Sequence, residues 1–597
     1  MHRDLNSYVS SNLPIPLYSS EQVYAIERAW FDQGYGSFGL MQQAAWQMTQ
    51  HIIHLYEQKY KCKRRTHRVS IYPPQNKLRR VSIWIGKGNN GGDGWLTALY
   101  LQQLGWQVEV ITVGFDTVDV NIPKKGQEAD FDDHEKDDSI SDALKARHKA
   151  LAANCDYRRF ESIEEERDKS SLSADIYIDA LFGIGLQRQP TGVFKRAIEM
   201  FNGLIQRHQA LAIAVDIPSG LVASTGQVFD RVAVKADITL CLVARKFGLH
   251  TKDGQDYSGE IIDVPLIPIE TTNEACKPIA TLLTAVFEIP ERRQNSYKGT
   301  FGHVLIIGGN QVAGSQGMGG AAILAAASTM AVGAGKITVA CHDAFHGALL
   351  TSLPNAMAIN LHDEEGVKNL IKDTNVVAIG MGLGRDNSAK MLFSSYIIAI
   401  MAQGKSIVID ADGLYHLASL YHEGDALVTK LRDYSQSHEV YLTPHSGEAA
   451  RLLDKTVESI EDNRIEAIKA CAKVYGGDWV LKGAGSLVLE QIAGKYEMSV
   501  CGVGNAGMAT AGMGDVLSGV AAGWLAQQDV NETKVSHQPH GLHQAVLIHG
   551  LAGDVLIHSS KTDEGYNNAL LIGQRGLQAQ DMPNAIRHIV QLSTISD

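Results

Sequence analysis

Short apolar runs recur along the chain, and between them lie longer stretches in which apolar positions return every three or four residues. Near the start, Ser19 to Gln22 has the S-x-x-Q form of a capping box, and Val23, Ile26, Ala29 and Trp30 follow at helical spacing, so a helix is predicted from there. VSIWIG (81–86), VEVITVG (108–114), ADIYIDALFG (174–183), LAIAVDIP (211–218) and DITLCLV (237–243) then read as strands separated by helical stretches. Continuous apolar strands alternating with helices predict an α/β fold, here a Rossmann-like doubly wound parallel sheet. A second α/β block begins at GHVLIIGG (302–309) and continues through KITVAC, NVVAIGMGLG, SIVIDADGL, EVYLTPHSGE, WVLKGAG and SLVLE. Between the blocks, Val264 to Pro290 has prolines at 265, 268, 278 and 290, which suits an extended linker. The expected division is therefore 1–272 and 273–597.

Four segments change this picture. Gly317 to Gly335 is uncharged over about the length of a spanning helix, but its apolar content is mostly Ala and Gly, so a tightly packed buried helix is expected. Lys59 to Arg80 carries nine Lys or Arg and no acid, whereas 116–138 and 161–168 are strongly acidic; solvated loops of opposite charge are the expectation. At 597 residues the chain needs at least two cores, and a net charge of -12 argues against nucleic acid as a partner. Seven cysteines stand far apart without a C-x-x-C pair, as reduced thiols would, and the N-terminus lacks the apolar region of a secretory signal. A cytoplasmic protein with no membrane partner is expected.

The first candidate chemistry is IGKGNNGGDGW (85–95). Gly86, Gly88 and Gly91 have dinucleotide-turn spacing, after a strand and before a helix, where glycines admit a ligand and helix amides favour its phosphates. The acid that a dehydrogenase places at the end of its second strand is missing, since that strand ends in VGF before Asp116. Asn89, Asn90 and Asp93 crowd the loop, and Asp179, Asp216 and Ser219 stand at two further strand ends. Such oxygens suit a hard cation, with one carboxylate left to move a proton.

Together, G-NNGGDG, DALFGIGL and VDIPSG resemble the N-terminal domain of the NAD(P)H-hydrate epimerases. The resemblance implies equilibration of the R and S forms of the hydrated nicotinamide ring. It implies substrate contacts from Asn89, Asn90, Gly91, Gly92, Asp93, Gly183, Ile184, Gly185, Leu186, Gln187, Arg188, Gln189 and Asp216, and a potassium ion among Asn90, Asp179 and Ser219. Asp216 is the candidate base on position and charge.

The second block carries GNAGMATAGMGDVLSGVAAG (504–523), a glycine-rich turn before an apolar helix. Amides of Gly512, Met513 and Gly514 there can hold a transferring phosphoryl group, and Asp515 can take a proton from an attacking hydroxyl. A Walker A motif is absent. This turn is similar to that of the ribokinase-like superfamily, and with LTPHSGEAARLL (442–453), LKGAGS (481–486) and GMGLG (380–384) it resembles the NAD(P)H-hydrate dehydratases. The resemblance implies a ribokinase-like α/β domain that binds adenine nucleotide through Lys482, Gly483, Ala484, Gly485, Ser486, Asn505, Ala506, Gly507, Met508, Ala509, Thr510, Ala511, Gly512, Met513 and Gly514. It places the hydrated cofactor at Gly382, His445, Ser446, Gly447, Glu448, Ala449, Ala450, Arg451 and Asp515. Two positions depart from the family pattern, Ser446 and Ala506, where proline is common. ADP as phosphoryl donor, Mg2+ with the nucleotide and a homo-oligomer complete what the resemblance implies. His342, His445 and HQPHGLHQ (537–544) are expected to be packed or solvated rather than metal ligands. The alternative is a small-molecule kinase, acting on a vitamin precursor, fused to a dinucleotide-binding scaffold.

Overall fold

The computed structural model describes residues 14–66, 79–115, 140–166, 172–269, 273–311, 317–528, 540–557, 561–562, 565–566 and 572–595. Most of the basic and acidic insertions, 67–78 and 116–139, lie outside these residues. The chain divides into two compact units, one built on residues 16–279 and the other on 280–597.

In the first unit seven strands form one sheet: β1 (Arg80–Ile85), β2 (Gln107–Thr112), β3 (Tyr157–Arg159), β4 (Ile176–Ala180), β5 (Leu211–Val215), β6 (Ile238–Leu242) and β7 (Glu260–Val264). Their order is β3-β2-β1-β4-β5-β6-β7, and every pairing is parallel. The chain winds one way from β1 and then the other from β4, so the crevice beyond their carboxyl ends is the topological switch point where ligands bind in such sheets. The apolar runs are continuous because alternate residues feed two cores. Trp84, Ile111 and Tyr177 pack with Phe160 and Phe201 on one face, whereas Ile83, Ile85, Val110 and Ile178 pack with Trp95 and Leu96 on the other.

Two of the helices that line the site carry its candidate polar residues. Helix α1 (Ser20–Asp32) begins at Ser19 with the expected capping box: Ser19 Oγ accepts from the Gln22 amide, and Gln22 Oε1 accepts from the Ser19 amide. Helix α2 (Asn89–Gln103) starts directly after the glycine loop, capped by Gly88.

The second unit holds β8 (Ala280–Leu283), β9 (His303–Ile307), β10 (Lys336–Cys341), β11 (Met357–Asn360), β12 (Val376–Ile379), β13 (Ser406–Ile409), β14 (Val440–Leu442), β15 (Asp478–Leu481), β16 (Leu487–Ile492) and β17 (Lys495–Cys501). These run in the order β8-β17-β16-β15-β14-β13-β12-β9-β10-β11, with β16 antiparallel to both neighbours. The proline-bearing segment is thus more than a linker, since its residues 280–283 add a strand beside β17. The prolines bracket that strand at 278 and 290 rather than interrupt it.

Helix α3 (Gly319–Val332) falls within the uncharged stretch and packs against α4 (Met513–Leu525) with almost no side chain between them. A Cβ on Gly519 would come within 2.1 Å of Ala325 O, and Thr329 Oγ1 donates to Gly519 O at 2.9 Å across the contact. No helix among the described residues is long and apolar enough to cross a membrane. The cysteines at 155, 241, 276, 341, 471 and 501 are free and buried.

Candidate active sites

At the switch point of the first sheet lies a cavity of about 1050 Å³, lined among others by Asn89, Asn90, Asp93, Gly183, Ile184, Gly185, Leu186, Gln187, Arg188 and Asp216. Helix α2 takes in Asn89, Asn90 and Asp93, which the sequence suggested as loop residues, and the glycines of the 85–95 segment divide by role. Cβ atoms on Gly86 and Gly91 would come within 2.0 Å of Leu181 O and 1.9 Å of Gly86 O, so these two are small because the backbone packs on them. Gly88 faces open space and lines the cavity, as a glycine does where a ligand approaches. Gly91 and Gly92 are turned into the protein, with Gly92 against Met41 and Ala143. Gln189 stands off the cavity, its amide donating to Asp230 Oδ2 at 2.7 Å.

Beneath the cavity, Asp179 is wholly buried at the end of β4. Its carboxylate accepts from Ser219 Oγ at 2.6 Å, from the Ser219 amide at 2.7 Å and from the Leu181 amide at 3.1 Å. Burial nevertheless pushes it up to about 6, because hydrogen bonds replace only part of the lost hydration. Asn90 is tied to the same corner, donating to Phe182 O at 2.8 Å, while the Phe182 amide donates to Ser219 Oγ at 2.8 Å. Asn90, Asp179 and Ser219 therefore meet around Phe182. A carboxylate buried without an ammonium or guanidinium partner, beside amide, hydroxyl and carbonyl oxygens, has the donor set of a hard monovalent cation. No cluster of three His, Cys, Asp or Glu suited to a metal occurs among the described residues.

Asp216 follows β5 in the left-handed region, at φ +67, which Asp tolerates through its short polar side chain. One carboxylate oxygen accepts from the Leu242 amide at 3.0 Å and contacts Lys246 Nζ. Lys246 is fully buried and also donates to Leu242 O at 2.6 Å, so the ammonium is held against Asp216. Asp93 and Glu27 complete the group. Desolvation first, and then the charge of Asp216, push Asp93 well above the carboxylate range and Glu27 to about 7. Glu27 and Lys246 both line the cavity and neither stood out in the sequence. Lys246 lies in an unremarkable loop, and Glu27 is one of several acids on an amphipathic helix.

In the second unit the site residues follow the carboxyl ends of successive parallel strands. Gly382 comes after β12, Asp410 and Asp412 after β13, His445 after β14 and Lys482 after β15. Gly382 has φ +65, and a Cβ there would meet Met318 O at 2.7 Å. His445 caps the helix Ser446–Leu453: its Nδ1 accepts from the Gly447 amide at 2.9 Å, and Glu448 returns a bond to the His445 amide at 2.8 Å. Ala449 and Ala450 are buried in that helix, and the Arg451 guanidinium stacks 4.7 Å over Tyr415. The Ser446 hydroxyl bonds Glu461.

Lys482 Nζ donates to Asp410 Oδ1 at 2.9 Å and lies 3.7 Å from Glu448 Oε2, while Asp410 Oδ2 accepts from Ser518 Oγ at 2.6 Å. This ties the 482–486 loop to the first turns of α4, where a Cβ on Gly514 would sit 3.1 Å from Lys482 Nζ. Asp515 stands in the first turn of α4; burial, then the charge of Asp410, push it up to about 7 against the pull of Lys482. That value leaves a carboxyl ready to accept a proton near neutral pH. The turn before α4 is set by Gly512 at φ +90. The Met513 amide is partly engaged, reaching Thr510 O at 3.4 Å. Asn505 holds the far side of the turn, its Nδ2 donating to Asp554 Oδ1 at 3.0 Å and its Oδ1 accepting from the Gly507 amide at 2.9 Å.

Sequence reading missed Asp410, Asp554 and Arg464. Asp410 lies in SIVIDADGL, where an acid at a strand end was the available signal. Arg464 gave none. It is buried on the helix Arg464–Tyr475, and its guanidinium donates to Leu481 O at 3.0 Å, Ala484 O at 2.8 Å and Gly485 O at 3.3 Å, fixing the 482–486 loop. Of the histidine-rich run, 537–539 lie outside the described residues, and His543 is buried with its Nδ1 2.7 Å from Glu490.

Residues 37–248 match the family described as YjeF-related protein N-terminus, and residues 305–574 the family described as NAD(P)H-hydrate dehydratase. A bifunctional NAD(P)H-hydrate repair enzyme of Coxiella burnetii is 30% identical over 577 residues, 96% of this chain and 99% of that protein. One from Vibrio cholerae is 34% identical over 421 residues, 70% of this chain and 75% of that protein. Among solved structures, an ADP/ATP-dependent NAD(P)H-hydrate dehydratase from Bacillus subtilis, co-crystallized with ATP/Mg2+, is 23% identical and covers 51% of this chain and 94% of that one, with a TM-score of 0.38. With two family matches in succession and a relative matched along nearly its whole length, the chain belongs to the bifunctional NAD(P)H-hydrate repair enzymes.

Proposed function

We infer that the chain repairs hydrated NADH and NADPH in two steps, residues 1–272 equilibrating the R and S forms and residues 273–597 dehydrating the S form. The observation that carries this reading is a polar site at the carboxyl ends of each of two sheets, one with the base candidate Asp216 in a cavity and one with Asp515 at a glycine-rich helix start. In the first, Asn89, Asn90, Asp93 and the 183–188 turn would hold the dinucleotide, and Asp216 would move the proton. A potassium ion held by Asn90, Asp179 and Ser219 would neutralise the buried Asp179 carboxylate and fix the turn through Phe182.

In the second, hydroxide is a poor leaving group, so the ring hydroxyl is first phosphorylated and phosphate then leaves. Asp515 would take the hydroxyl proton, and the first amides of α4 would hold the moving phosphoryl group. His445 to Arg451 and Gly382 would face the hydrated ring, and Lys482 to Ser486 with Asn505 to Gly514 the nucleotide. ADP as donor, giving AMP and phosphate with Mg2+ on the nucleotide, follows the family resemblance. The same reading makes the protein a cytoplasmic homo-oligomer without nucleic-acid or membrane partners.

The test uses purified full chain with each epimer of hydrated NADH, with ADP or ATP. Near-ultraviolet absorbance of reduced nicotinamide should return with nucleotide from S, and from R as well. No recovery with either nucleotide overturns the reading, and a stable phosphorylated product would instead mark a kinase.

A further inference from the structure

The buried group at the floor of the first cavity holds more acids than a single base requires. Glu27 on α1 is faced by Tyr24 on its own helix, by Asp93 on α2, by Asp216 after β5 and by Lys246 after β6, while Lys87 and Arg188 line the same cavity. The Lys246 ammonium contacts the Asp216 carboxylate. Glu27 makes no ion pair among the described residues, yet it borders the space a substrate would fill. One cavity thus places a carboxylate fixed by an ammonium beside a carboxyl that lacks one.

We propose that Glu27 is the general acid of epimerisation, working with Asp216 as general base and with Lys246 as the positioning residue that holds the Asp216 carboxylate in place. This rests on the epimerase reading of the first unit. Inverting the hydrated carbon requires its C–O bond to break and re-form on the other face. As that bond breaks, the proton of Glu27 passes to the departing oxygen, which leaves as water, and the ring nitrogen's electron pair completes a C=N+ iminium. Water then adds from the opposite face, its oxygen forming the new C–O bond and its extra proton going to Asp216. Proton return from Asp216 to Glu27 closes the cycle with no net change in atoms or charge. The acid must therefore start protonated and the base unprotonated. Desolvation and the Asp216 charge hold Glu27 protonated up to about pH 7.

The test follows R-to-S conversion from pH 5 to 9 in the full chain and in Glu27→Gln, Glu27→Asp and Asp216→Asn, with dehydration of the S form in each as a control for the other unit. Glu27→Gln should lower kcat by roughly 100-fold or more with KM changed less than threefold, as loss of a general acid does. Glu27→Asp should recover part of that loss. The wild-type rate should fall above about pH 7, and Glu27→Gln should lose that limb. A Glu27→Gln kcat within threefold of wild type, or a loss confined to KM, overturns the proposal. Failure of the wild type to convert R at all condemns the epimerase reading itself, whereas inactivity of Asp216→Asn beside an active Glu27→Gln condemns only the role of Glu27.

Discussion

Replacing Lys246 by Met tests the buried group through stability rather than rate. Methionine keeps most of the side-chain volume, so little cavity is left, but Asp216 loses its ammonium and Leu242 O loses its 2.6 Å donor. Breaking a buried ion pair by removing one partner costs about 3–5 kcal/mol, much of it the penalty of the charge left behind. Asp93 and Glu27 beside it add to that penalty, because both already feel Asp216. At about 1.4 kcal/mol per decade, backbone amides of β5 and β6 should exchange with deuterium roughly 100- to 4,000-fold faster at pH 8. Those of β9, in the other unit, serve as reference. Adding Asp216→Asn removes the stranded charge and should recover at least half of the loss. The reasoning is refuted if Lys246→Met alone changes exchange by less than tenfold, or if the double variant is no better than the single one.

Dehydration should speed up as pH rises through about 7, because Asp515 must be ionised to accept a proton; Glu448, also pushed to about 7, belongs to the same titration, so a steady-state profile flat from pH 6 to 8 would count against the role. Gly519→Ala sets a methyl against Ala325 O and should cost about 2–3 kcal/mol, read by hydrogen exchange across α3 and α4, with dehydration falling and epimerisation unchanged. Arg464→Ala strips donors from the carbonyls of Leu481, Ala484 and Gly485 and should raise the nucleotide KM tenfold or more; an unchanged KM in steady-state kinetics would separate Arg464 from nucleotide binding.

Local patterns carried the fold. The strand runs, the capping box at Ser19 and the Ala/Gly helix each lie where neighbouring residues alone decide the structure. The strand at 280–283 was hidden because its pairing with β17 joins residues more than 200 positions apart, and nearby prolines mimic a linker. Candidate residues next to the first glycine turn were likewise legible as lining of one cavity, since a glycine turn at a strand end marks such a crevice. Glu27, Lys246, Asp410 and Arg464 were not. Burial marks all four, and Lys246 and Arg464 are held by partners 20 or more positions away, Asp216 and Ala484; neither property has a local spelling. Gln189 errs the other way: it continues the glycine turn in sequence, but its amide leaves for Asp230.

The left-handed backbone at Asp216 bears on which sequences evolution can reach. Asn and Gly share Asp's tolerance of that conformation, whereas a longer or branched side chain there is strained. Lengthening Asp216 to Glu would therefore have to be matched by reshaping the turn between β5 and Ser219, and a single substitution does not provide that. Drift at this position is channelled toward Asn, which keeps the turn but gives up the charge. If Asp216 is the base proposed above, a lineage can lose the reaction in one step while keeping the cavity, and a binding protein with this architecture is then one mutation away from the enzyme.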